Sequence, residues 1–140
     1  MEGYLKIQNG TGTLTKEKIL NKKKLRSKKL DKIIFENNIN KIDLIKVDTD
    51  GFDISVLESG LQTIKKNKPF LFFEYLNINP DQLDVYLEFI SKIKIIGYNN
   101  FIILDNYGNI LSNDSNINEI KKTISNRSVV DIFAQVKINE

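Results

Sequence analysis

Cysteine and histidine are both absent from the 140 residues, and proline occurs only twice. Without cysteine there is no disulfide, no thiolate nucleophile and no cysteine-ligated metal, and the redox compartment stays open. Without histidine the side chain that titrates most readily near neutrality is missing. Ser-His-Asp and Cys-His hydrolases are therefore excluded, and proton transfer falls to carboxylates, Lys, Tyr or a bound ligand. Long apolar runs are lacking too: Met1-Glu2-Gly3-Tyr4-Leu5-Lys6 has no signal-peptide character, and no stretch approaches a membrane span. A cytoplasmic protein without a membrane partner is expected. Nor does either sign of charge dominate, since 21 basic and 18 acidic side chains leave a formal +3 with the signs mixed.

What is present, 41% hydrophobic and 28% charged residues, suits one globular domain over residues 1–140. Residues 1–15, with Gly3, Gly10 and Gly12, read as two short strands about a glycine turn. Lys16 to Lys32 is dense in basic side chains, as a nucleic-acid patch would be. No aromatic is interleaved to stack on bases, however, so a solvated segment leading into a helix is preferred and nucleic acid is not expected as a partner. Leu30, Ile33 and Ile34 give a short helical stripe that ends at Asn37-Asn38.

Ile42 to Val47 then has the texture of a buried parallel strand. Ile54, Leu57, Leu61 and Ile64 lie on one face of a following helix, which Pro69 stops. Phe70 to Tyr75 is a second apolar strand, and Asn79-Pro80-Asp81-Gln82 opens a helix, with Asn79 as cap and Leu83, Tyr86, Leu87, Ile90 and Ile93 as its buried stripe. Phe101 to Leu104 leads into a hairpin turn at Asp105 to Asn109, a helix carries Ile117, Ile120 and Ile124, and Val129 to Val136 is a last strand. The order predicts an α/β fold, helices covering a mainly parallel sheet with a terminal antiparallel hairpin. In such sheets the ligand crevice lies outside the carboxyl ends of the strands, and here both ends carry acids, at Asp48-Thr49-Asp50-Gly51 and at Glu74-Tyr75.

Asp48 and Asp50 repel each other unless a cation, donors or water intervene. A calcium loop fails in both registers: starting at Asp48 it puts Phe52 and Ser59 at ligand positions, and starting at Lys46 it puts a cation at the first. The simplest alternative is that the acids favour the amino end of the next helix, a reading preferred for Asp53, left even for Glu74 and disfavoured for Asp48 with Asp50.

Ile42 to Asp53, followed by Val56-Leu57-Glu58-Ser59-Gly60, is similar to the signature of the FkbM family of methyltransferases, an apolar strand ending in Lys-x-Asp-x-Glu-Gly. Lys46, Asp48 and Gly51 match it, and Asp50 stands where the family most often has Glu. Lys68-Pro69-Phe70 running to Phe73-Glu74, Lys29-Leu30-Asp31 and Gly97-Tyr98 resemble further segments, so the resemblance spans roughly Thr11 to Val136. It implies a class I methyltransferase, Rossmann-like fold, with S-adenosylmethionine as cofactor and a hydroxyl of a sugar, glycan or small metabolite as methyl acceptor. Asp48, Asp50 and Glu74 would then stand at the acceptor as catalytic residues, orienting the hydroxyl or drawing its proton, and Lys46 would be structural.

The family's Gly-rich Asp-x-Gly-x-Asn-x-Gly turn and acidic ribose clamp have no counterpart in the 140 residues. The expectation is therefore the carboxyl-terminal half of a methyltransferase domain with the first strands missing, inactive alone. An amino-terminal half or a second copy would be its partner. A non-catalytic remnant that binds a partner through the open sheet edge is the alternative.

Overall fold

The computed structural model describes residues 2–8, 11–15 and 24–137. Gly10 and residues 16–23 of the basic stretch lie outside the described residues. Strands β1 (Glu2–Gln8), β2 (Thr11–Thr15) and β3 (Lys24–Arg26) form an antiparallel sheet of order β2-β1-β3, with the expected hairpin at its centre.

Helix α1 (Leu30–Glu36) leads to a second sheet. Its strands are β4 (Leu44–Val47), β5 (Phe70–Leu76), β6 (Asn100–Leu104), β7 (Ile110–Asp114) and β8 (Val129–Gln135), in the order β4-β5-β8-β6-β7. Between β4 and β5 run helices α2 (Asp53–Glu58) and α3 (Leu61–Asn67), between β5 and β6 runs α4 (Gln82–Ile96), and α5 (Ile117–Ile124) precedes β8.

The expectation of a mainly parallel sheet is corrected. Only β4 and β5 run parallel, while β8 lies antiparallel between β5 and β6, and β6 and β7 form the expected hairpin. Apolar, β-branched texture marks a strand as buried but says nothing of its direction, and β8 enters the sheet only after the hairpin and α5 have turned the chain.

One face of this sheet is the core. Ile45, Val47, Leu71, Phe73, Tyr75, Phe101, Ile103, Val130, Ile132 and Ala134 are buried there. They share one cluster with Ile54 and Leu57 of α2, Tyr86, Phe89, Ile90 and Ile93 of α4, and Ile120 and Ile124 of α5. The period of two then sends Leu44, Lys46, Phe72, Glu74, Asp131 and Phe133 to the other face, where they are exposed or half-buried.

The single helix expected from Ile54 to Ile64 is two helices, broken at Ser59-Gly60 to receive α1. Leu30 N–H donates to Ser59 Oγ at 2.9 Å, and Asp31 N–H donates to Ser59 O at 3.1 Å. A Cβ on Gly60 would lie 2.6 Å from Leu30 Cδ2, so only glycine lets α1 approach this closely. The Asp31 carboxylate then accepts from Gln62 N, Thr63 N and Thr63 Oγ1 at 3.2, 2.9 and 2.6 Å, satisfying the first amides of α3 from a neighbouring helix. Asn79 does not cap α4: its carbonyl accepts from Gln82 N, and the N-cap is Asp81 without a side-chain bond. Among the described residues, no helix is long and apolar enough to cross a membrane.

Candidate active site

The parallel pair β4/β5 ends at Val47 opposite Phe73, and both chains carry an acid just beyond it. Asp48 and Glu74 open on one cleft of about 360 Å³, lined also by Lys46, Val47, Phe72, Asn106 and Asp131. Of the three acids expected together, Asp50 is not among these lining residues. It holds the turn instead: Asp50 at φ 50° and Gly51 at φ 94° are consecutive left-handed residues that swing the chain from β4 into α2. Gly51 is needed for its φ, which L side chains rarely adopt; the Ile78 Cδ1 methyl that a Cβ would meet is the free end of an exposed side chain.

Asp53, expected as a helix cap, makes different bonds. It is fully buried, and its Oδ2 accepts from Thr49 N at 3.3 Å and Thr49 Oγ1 at 2.9 Å, while Oδ1 accepts from Glu74 N at 3.1 Å. On the same side of β5 the Tyr86 hydroxyl of α4 donates to Glu74 O. Both backbone polar groups of Glu74 are thus held by side chains from helices.

Three acids now line one cleft: Asp48 just after β4, Glu74 in β5 and Asp131 in β8. Glu74 stands directly across from Asp131 in the antiparallel ladder, a like-charged pair that disfavours itself. Burial, followed by the charges of Asp48, Asp53, Asp131 and Asp50, raises the Glu74 pKa above the ordinary carboxylate value. Asp131 is raised likewise, by burial first and then by Asp48, with Lys46 opposing. Lys46 Nζ lies 3.2 Å from Asp48 Oδ2 and 5.9 Å from the centroid of the Phe72 ring. The Lys46 and Asp48 side chains are 58% and 63% exposed, so this ion pair contributes little stability. Among the described residues, no group of acids is placed to hold a metal ion.

The cleft therefore offers a partly desolvated carboxylate with a raised proton affinity beside a solvated one, which suits drawing a proton from a hydroxyl. The cation over Phe72 is the chain's own Lys46. Sequence reading missed Lys46, Asp131 and Asn106 as members. Asp131 had a signal: it is the one acid in the apolar run Val129 to Val136, as Glu74 is in Phe70 to Leu76. Lys46 follows from alternation with the buried Ile45 and Val47, and Asn106 of the hairpin turn had no signal.

The family model for the methyltransferase FkbM domain matches residues 5–108. That span contains β4, the acidic turn, β5 and α4, and stops before α5 and Asp131. No curated protein and no solved structure matches the chain.

Proposed function

Because the chain belongs to the methyltransferase FkbM domain family, we propose that the cleft at the ends of β4 and β5 is the acceptor side of an S-adenosylmethionine-dependent methyltransferase acting on a hydroxyl of a sugar, glycan or small metabolite. The observation that carries this reading is the convergence of Asp48 and Glu74 on one cleft at the carboxyl ends of the only parallel pair among the described strands. In parallel α/β sheets ligands bind outside the carboxyl ends of the strands, and this pair is the part of the mixed sheet to which that rule applies.

S-adenosylmethionine supplies an electrophilic methyl group on a cationic sulfonium. The cleft fits the charge of that end of the cofactor, since its three carboxylates outnumber its one cation, Lys46, which lies over Phe72. It does not fit the adenosine: the Gly-rich turn and ribose clamp are not found within the 140 residues. The chain's own residues act on the acceptor. Glu74, with its raised proton affinity, accepts the hydroxyl hydrogen bond and can take its proton. Asp48, solvated and paired with Lys46, orients the same hydroxyl. Asp50 acts through the shape of the turn and the weaker charge it adds at Glu74.

The reading is that of a partial Rossmann-like domain, inactive alone. The test follows methyl transfer from labelled S-adenosylmethionine to a panel of hydroxyl acceptors by this chain alone and by the chain joined to an amino-terminal half with a Gly-rich turn. Transfer is expected only from the joined form. Micromolar cofactor binding or transfer by the chain alone would contradict the assignment of the main cofactor contacts to a separate segment.

A second reading has its own support. Among the described strands β4 pairs with β5 alone, and Leu44 of that edge strand is 56% exposed. A non-catalytic chain that binds a partner strand through this edge would show the same surface.

A further inference from the structure

Glu74 lies one residue beyond the end of the β4/β5 ladder, at the point where β4 turns away into Asp48. The N–H and C=O of one strand residue point to the same side, so both groups of Glu74 would lose ladder partners here. Asp53 takes the N–H and Tyr86 takes the C=O. The same Asp53 carboxylate reaches back to two donors on Thr49, between Asp48 and Asp50.

We infer that Asp53 is a positioning residue, a buried tether that holds the turn bearing Asp48 against β5 at Glu74, where the β4/β5 ladder ends, so that the Asp48 and Glu74 carboxylates open on one cleft. This rests on the reading of that cleft as an acceptor site. Three facts support it. First, a buried carboxylate is costly, and all three hydrogen bonds that offset the cost go to the turn and to Glu74, none to the opening amides of α2. Second, helix capping would need no burial, since an exposed Asp, Ser or Thr at the helix start serves as well. Third, the turn is strained by a left-handed Asp50 ahead of Gly51, and strain of that kind persists only where surrounding contacts over-determine it.

The test is a coupling measurement on the whole chain by carboxyl and amide NMR. Glu74 is surrounded by Asp48 and Asp50 of the turn, Asp53 of α2, Asp131 of β8 and Tyr86 of α4, with Lys46 of β4 beside Asp48. In the wild-type background Asp48→Asn should lower the titration midpoint of Glu74. In an Asp53→Asn background that response should fall by at least half, because Asp48 is no longer held nearby. The Thr49 and Glu74 amides should exchange about tenfold faster or more while those of α4 and β8 keep their protection. An equal response of Glu74 to Asp48→Asn in both backgrounds, with unchanged exchange, would overturn the tether. Should Asp53→Asn fail to fold, Thr49→Val removes only the hydroxyl bond and runs the same cycle; a smaller coupling supports the inference and an unchanged coupling overturns it. None of these readouts uses cofactor or acceptor, so the tether and the methyltransferase reading can fail separately.

Discussion

Tyr75 and Tyr86 carry hydroxyls into the same core with their rings edge to face at 5.0 Å, and they fare differently. Tyr86 donates to Glu74 O, whereas the buried Tyr75 hydroxyl has no partner among the described residues. Tyr86→Phe should therefore cost about 1–2 kcal/mol by leaving a part-buried carbonyl unpaired, and Tyr75→Phe should be neutral or stabilising by up to about 1 kcal/mol. Urea denaturation of both variants reads the contrast directly, and equal losses would contradict it. Glu74 gives a pH prediction with a definite sign. Its folded pKa is raised, so its ionised form destabilises the fold above the folded pKa, and the penalty fades as pH falls to the unfolded value. Glu74→Gln should raise Tm at pH 7 and lose that advantage below about pH 4; an advantage that grows toward acid would reverse the sign of the account. Of the site, Asp48 and Glu74 were legible in sequence because Asp48 follows one apolar strand and Glu74 is the one acid in another, although β5 runs on past it to Leu76. Asp131 stood out as the lone acid of its run, but its place in the site was not legible, because which strand lies beside β5 is decided by non-local pairing; Asp53 was misjudged because its partners lie 4 and 21 positions away.

Elements were legible where one face meets one core. α4, α5, β5 and β8 lie where alternation and helical stripes put them, though Phe89 joins the buried stripe of α4 while Leu83 and Leu87 sit at its margin. The break between α2 and α3 was illegible because its cause is α1, whose Leu30 sits on Gly60 and whose Asp31 caps α3. Two substitutions isolate that joint. Asp31→Ala should cost about 1–2 kcal/mol, as loss of a cap does. Gly60→Ala should cost about 1–3 kcal/mol by overpacking, and less in a Leu30→Ala background, where the clashing side chain is gone. A double-mutant cycle with no coupling between Leu30 and Gly60 would show that the helices do not meet as described.

At the scale of the whole molecule, the five-stranded sheet has helices on one face and at one edge ends in β4, whose alternate backbone groups face away from β5. Unpaired edges recruit other strands. The purified chain should associate in sedimentation at low micromolar concentration, or gain protection at its Leu44 to Val47 amides only when a partner is supplied. A monomer whose Leu44 to Val47 amides all resist hydrogen exchange would mean the edge is already covered. The central claim, that the ends of β4 and β5 form the acceptor site of a methyltransferase, is tested most directly by turnover against cofactor affinity. The measurement uses the chain joined to an amino-terminal half, as wild type, Asp48→Asn and Glu74→Gln. Groups that act on the acceptor in the transition state should lower turnover by about 10²–10⁴-fold and leave S-adenosylmethionine affinity nearly unchanged. Equal, mild losses in both quantities would make these acids parts of the scaffold and contradict the account.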